Sequence, residues 1–150
     1  MLPIAVGQNH RYREQAPSHS CTAINSISPP GPRTVALRMA QGIASVAAHL
    51  HRHGITHGDL YGHNILWNEA GDCLLGDFGA ASFHATADSV ETRALQRIEV
   101  RAFGVLLGEL LERVEEQLSD GLAALQKSCC QPDVLARPGF NEIESLLSRG

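Results

Sequence analysis

From Thr34 onward the chain takes on a helical rhythm. Val35, Met39, Ile43, Val46, Ala47 and Leu50 recur at three- and four-residue intervals, which puts them on one face of a helix predicted over 34–53. Thr34 is placed to cap its start and Gly54 to end it. Two short apolar runs follow, Ile65-Leu66-Trp67 and Cys73-Leu74-Leu75, separated by Asn68-Glu69-Ala70-Gly71-Asp72; this polar, glycine-containing break predicts a β-hairpin. The Ala-, Ser- and Thr-rich stretch between Gly79 and Ile98 reads as a mobile loop. Beyond it, Ile98, Phe103, Leu106, Leu107, Leu110, Leu111 and Val114 form a face wide enough for a helix buried on most sides. Helices around Leu118, Leu122 and Leu125, and through Phe140, Ile143, Leu146 and Leu147, complete a helical subdomain. Fold class is therefore α+β, mainly α, with one short hairpin. Residues 1–33 hold five of the seven prolines and no sustained period, so they read as a Pro/Ser-rich arm ahead of a domain at 34–150.

Composition narrows the class. With 43% hydrophobic residues in 150, the chain can bury one core, and its length fits one domain. A net charge of −4 argues against a nucleic-acid partner. No apolar run approaches the ~18 residues of a membrane span, and the first residues lack a charged, then apolar, leader; a soluble cytoplasmic chain with no membrane partner is expected. Cys21, Cys73, Cys129 and Cys130 show no Cys-x-x-Cys spacing and read as reduced, mostly buried thiols. His49, His51, His53 and His57 invite a metal reading, but on a helix His49 and His53 share a face while His51 looks elsewhere. Solvated or capping roles are expected for them.

The chemistry concentrates in His57-Gly58-Asp59-Leu60-Tyr61-Gly62-His63-Asn64 and Asp77-Phe78-Gly79. A carboxylate, an amide five residues later and a second carboxylate before a glycine together suit a divalent cation and a polyphosphate, the combination phosphoryl transfer needs. Pairing of the predicted hairpin would bring Asn64, before its first strand, and Asp77, after its second, to one mouth.

These residues resemble the protein kinases and their kinase-like relatives. His57-Gly58-Asp59-Leu60 with Asn64 matches the catalytic loop H-R-D-L-x-x-x-N, and Asp77-Phe78-Gly79 matches the D-F-G that follows it. Leu50 to His57 looks like the helix end leading into that loop, Val100 to Leu111 like the family's central buried helix, and Cys130-Gln131-Pro132 through Arg137-Pro138-Gly139-Phe140 like its closing motif. The resemblance covers about residues 34–150 and implies a kinase-like C-terminal (large) lobe, with 1–33 as an arm or hinge remnant. It further implies ATP and Mg²⁺ as cofactors and a hydroxyl on a protein or small molecule as acceptor. Asp59 would accept or orient the acceptor proton, Asn64 and Asp77 would hold magnesium, and Gly79 would give Asp77 its freedom to rotate. Phe78 would pack inward, His57 would brace the loop, Glu99 would hold the loop backbone from below, and Glu91 would pair with Arg137.

Three departures qualify the resemblance. Gly58 replaces the Arg that in many kinases reads a phosphorylated activation loop, and Tyr61 stands where a phosphate-neutralising Lys is usual. The chain also contains no G-x-G-x-x-G, only 58 residues precede Asp59, and its single lysine is Lys127, downstream of every motif. A large-lobe fragment, weak or inactive by itself and prone to self-association through an exposed lobe face, is the expectation. Two alternatives remain: a pseudokinase module that binds a partner, and a small-molecule phosphotransferase of the aminoglycoside or choline kinase kind, whose loop also reads H-G-D.

Overall fold

The computed structural model describes residues 22–23, 32–114 and 120–149. Most of the predicted arm, Cys21 and Leu118 lie outside the described residues.

Helix α1 (Arg33–Arg52) starts one residue before Thr34 and is entered from Pro32, which makes no side-chain cap; Thr34 sits inside the first turn instead of capping it. At the other end His53 closes the helix, and Gly54 follows with φ +71° and its N–H on His51 O (3.1 Å). The buried face runs through Ala36, Met39, Ala40, Ile43, Ala44, Ala47, Ala48 and His51. Val46, expected on it, is exposed and Leu50 is only half-buried. Alanine is a weak hydrophobic signal in a sequence, yet a row of alanines lets neighbouring helices come close, and this row packs against α2 and α4.

Helix α2 (Val90–Leu111) begins inside the stretch expected to be a loop. Ser89 caps it, its Oγ accepting Thr92 N–H (3.1 Å). Glu99, Val100, Phe103, Gly104, Leu106, Leu107, Leu110 and Leu111 face the core, whereas Ile98 is 59% exposed. At 100° per residue, Ile98 falls with Ala102 and Val105 on a different face from Phe103 and Leu107, so the broad apolar helix has two sides with different uses. Helix α3 (Asp120–Cys129) contributes Leu122, Leu125 and Cys129, and α4 (Phe140–Leu147) contributes Phe140, Ile143 and Leu147; Leu146 is exposed.

Two small sheets stand above these helices. In the first, β1 (Thr22–Ala23), β3 (Ile65–Trp67) and β4 (Cys73–Leu75) lie in the order β1-β3-β4, and the predicted hairpin has the register Ile65↔Leu75, Leu66↔Leu74, Trp67↔Cys73. Its alternation buries Ile65 and Trp67 and leaves Leu66 exposed beside Leu74. In the second, β2 (Ile55–Thr56) pairs antiparallel with β5 (Ser82–Phe83), a pairing absent from the one-hairpin expectation. It joins the residues before His57 to those after Gly79. The described residues are thus mainly helical with two small sheets, an α+β arrangement.

Cys73, Cys129 and Cys130 are free thiols, of which only Cys129 is fully buried. Burial pushes the thiols of Cys73 and Cys129 up to about 12. No helix among the described residues is long and apolar enough to cross a membrane.

Candidate active site

The loop from His57 to Asn64 is held from three directions. His57 is fully buried; Asp59 N–H donates to its Nδ1 (3.3 Å), which leaves its Nε2–H to donate to Gly76 O (2.8 Å). One imidazole therefore ties the start of the loop to the strand end that precedes Asp77. From below, Gly58 N–H donates to Glu99 Oε1 (2.8 Å), the role expected of that carboxylate. From above, Gly58 meets the chain just past Gly79: its φ is +80°, and a Cβ built on it would lie 2.4 Å from Ala80 O. No side chain fits there, so the glycine that replaces arginine has a steric reason.

Asp59 and Asn64 meet directly. The Asn64 amide nitrogen donates to both Asp59 O and Asp59 Oδ2, each at 2.9 Å, and a one-turn 3₁₀ segment, Gly62–Asn64, sets the spacing. Both amide hydrogens being engaged, the Asn64 oxygen is the atom left to bind a ligand. Gly76 N–H donates to Asn64 O (2.8 Å), so Asp77, the next residue, leaves the hairpin at the end where Asn64 enters it. Asp77 has φ 52°, ψ 76°, the sole positive-φ non-glycine among the described residues, and its exposed carboxylate accepts Gly79 N–H (3.2 Å). Backbone held in that region tends to mark functional positions. Two hard oxygen donors, the Asn64 amide oxygen and the Asp77 carboxylate, suit magnesium in kind. Among the described residues no three His, Cys, Asp or Glu side chains gather as a metal cluster.

Several expectations need correction. Phe78 does not pack inward: it is 47% exposed, with its ring edge-on to His57 at 4.8 Å. Arg137 is buried, but its guanidinium donates to Gln131 O (2.8 Å) and Arg97 O (2.9 Å) rather than pairing with Glu91. Glu91 stands exposed in the first turn of α2, where its own backbone N–H and then Ser89 hold its carboxyl below the usual range. His51 is neither solvated nor a cap; it is buried, and its Nε2 lies 2.7 Å from Glu99 Oε2. The periodicity held a signal for it, because a histidine on a face of alanines needs a buried partner. His53 does serve the end of its helix, its Nδ1 lying 2.8 Å from His49 O.

Beside Asp59 opens a groove of about 190 Å³, lined among others by Thr56, Tyr61, Leu95, Ile98 and Ala102. Tyr61 is exposed and stacks on His63, with ring centroids 5.6 Å apart. The exposed face of α2 thus forms an apolar wall next to the carboxylate.

Residues 23–120, about two thirds of the chain, match the lipopolysaccharide kinase (Kdo/WaaP) family. The chain belongs to that family. Among curated proteins, this Kdo/WaaP-family chain is 39% identical over 74 residues to the calmodulin-binding receptor kinase CaMRLK of Arabidopsis thaliana, a match covering 49% of the chain and 11% of that protein. It is 30% identical over 117 residues to the serine/threonine-protein kinase US3 homolog of bovine herpesvirus 1.2 (strain ST), covering 67% and 24%. It is also 36% identical over 80 residues to the probable inactive L-type lectin-domain containing receptor kinase III.1 of Arabidopsis thaliana, covering 47% and 13%. The chain spans between about a tenth and a quarter of the length of these relatives. Family and relatives agree on kinase-like family membership.

Proposed function

We propose that these 150 residues form the large-lobe part of a phosphotransferase that moves the γ-phosphoryl group of ATP to a hydroxyl, and that the phosphate-covering elements come from outside them. The pairing of Asp59 with Asn64, at the hairpin end that Asp77 leaves, carries the reading. With Oδ2 engaged by Asn64, the other oxygen of Asp59 is available to orient the acceptor hydroxyl and receive its proton. The Asn64 amide oxygen and the Asp77 carboxylate would hold magnesium, which when bound neutralises charge on the nucleotide phosphates. Gly58, pinned between Glu99 and Ala80, keeps Asp59 from drifting, and positioning is the main source of rate in this chemistry. The groove beside Asp59 has mainly apolar walls, so the acceptor presents apolar surface next to its hydroxyl. Exposed Leu66 and Leu74, cross-strand partners just beyond Asn64, offer a flat apolar seat for a nucleotide base.

Calorimetry with Mg-ATP and a radiolabel transfer assay, offering both lipopolysaccharide and protein acceptors, test the reading. The 150-residue chain should bind Mg-ATP weakly and transfer little, because water screens its magnesium ligands and no lysine pairs with the phosphates. A chain extended upstream to include a glycine-rich loop and a strand lysine should turn over, and Asp59→Asn or Asp77→Asn should each abolish that turnover. Undiminished turnover in either variant would overturn the assignment.

A second reading, a non-catalytic module that binds a partner, draws on Tyr61 standing where a cation is usual and on the exposed apolar face of α2. No turnover in the extended chain would favour it.

A further inference from the structure

We propose that His49 and His53 form a two-histidine site for a transition-metal ion, Ni²⁺ or Cu²⁺, at the C-terminal end of α1. The two residues stand four apart at the end of the helix, so their side chains rise from one face in successive turns. Both are exposed, and their rings lie with centroids 4.4 Å apart and planes tilted by 35°. A carbonyl oxygen can only accept, so the contact between His53 Nδ1 and His49 O (2.8 Å) puts a proton on Nδ1 and leaves the lone pair of the neutral ring on Nε2. That backbone bond also fixes the ring, as the non-ligating nitrogen of a metal-bound histidine commonly does. Among the described residues no hydrogen bond or ion pair engages the ring nitrogens of His49, so they are free to meet the same ion.

The ring separation selects the kind of ion. With a metal–nitrogen bond of about 2.1 Å and a nitrogen about 1.2 Å from its ring centre, two imidazoles that meet a metal at a right angle have centres about 4.7 Å apart, and two at the tetrahedral angle about 5.4 Å. The observed 4.4 Å lies on the right-angle side, which favours Ni²⁺ and Cu²⁺ over tetrahedral Zn²⁺. The carbonyl end of α1, the negative end of its dipole, favours a cation there. Arg52, which lies between the two histidines in sequence, is drawn away toward α4 by Asn141 Oδ1 (3.1 Å) and Glu144 Oε2 (3.8 Å). Among the described residues no third His, Cys, Asp or Glu completes a cluster, so water takes the remaining positions around the ion. An ion bridging the two rings ties together the last turns of α1, four residues before His57, and so stiffens the helix end from which the candidate loop departs. Nothing in the phosphotransfer reading is required for this, because the ion meets imidazole nitrogens and not the hard oxygen donors Asn64 and Asp77.

NMR titration of the 150-residue chain with NiCl₂ tests it, because nickel is paramagnetic and broadens the signals of nuclei near it, and free thiols do not reduce it. Amide signals of residues 49–54 should broaden, and the Ni²⁺ concentration at the midpoint should rise at least about tenfold in His49→Gln and in His53→Gln, since a single imidazole loses the second attachment. In His63→Gln, which removes an exposed histidine elsewhere, the midpoint for 49–54 should stay within about twofold of wild type. Zn²⁺ added to the nickel-loaded chain should restore these signals only in excess, as the right-angle arrangement requires. Unbroadened signals at 49–54, an unmoved midpoint in either substituted chain, the same rise in His63→Gln, or full recovery with equimolar Zn²⁺ would overturn the proposal. Should a substitution unwind the end of α1, the long-range ¹⁵N–¹H correlation of the metal-free wild-type His53 ring decides: a proton on Nδ1 supports the site, and one on Nε2 alone refutes it.

Discussion

Replacing Gly58 with alanine measures how tightly the loop is held against the residues after Gly79. Two costs add. An L-residue at φ +80° is strained by about 1–2 kcal/mol. The new Cβ also lies 2.4 Å from Ala80 O and 3.1 Å from Ala80 C, and these are backbone atoms that cannot swing aside as the end of a long side chain would. Relieving the contact means displacing Ala80, two residues before the strand that pairs with Thr56, and overpacking of this kind costs about 1–3 kcal/mol. Restricting the unfolded chain offsets about 0.4–1 kcal/mol. A net loss of ~3 kcal/mol is expected, and at about 2–4 °C per kcal/mol for a chain of this size the melting midpoint should fall by about 6–12 °C. Urea denaturation followed by circular dichroism reads the loss, with Gly121→Ala as control. Gly121 is the second residue of α3 with nothing within 4 Å of its Cβ, so alanine there should be neutral or stabilising by ~0.5 kcal/mol. If Gly58→Ala proves no less stable than Gly121→Ala, the close approach of Ala80 is wrong, and with it the steric reason for glycine in place of arginine. Gly58→Arg, which restores the usual kinase residue, should be at least as damaging.

Two further outcomes concern the thiols and the exposed apolar side chains. Cys73 and Cys129 keep their protons to about pH 12 when folded but lose them near 9.0 when unfolded, so their contribution to stability is complete below pH 9 and is lost as pH rises toward 12. Urea midpoints measured from pH 8 upward should fall above pH 9, and less steeply in Cys73→Ala; an identical slope would show that this thiol is not shielded. Phe83 is 88% exposed, and Leu66 and Leu74 lie open on the hairpin, so sedimentation velocity should show self-association that rises with concentration. Phe83→Glu combined with Leu74→Glu should return the chain to monomer, and unchanged association would place the contact elsewhere.

Much of this protein could be read from its residue order because the signals are local. Helix α1, the register of the hairpin and the arrival of Asn64 and Asp77 at one end of it depend on neighbours a few residues apart, and alternating or helical spacing reports them. The kinase-like character was legible for the same reason, since its motifs are short and ordered. What spacing could not settle was which of several apolar stripes would be buried. Alanines in α1 took the place of Val46 and Leu50 because helix–helix distance, a property of the packed fold, favours small side chains. Ile98 came to line a groove, and Phe78 stayed half-exposed, through the placement of segments far from them in sequence. The second sheet, the hydrogen bond from Arg137 to Arg97 O and the relay from His51 through Glu99 to Gly58 join residues 26 to 48 positions apart. A buried polar group must find a partner, but the sequence names only that need; which partner answers it is decided when the chain closes on itself.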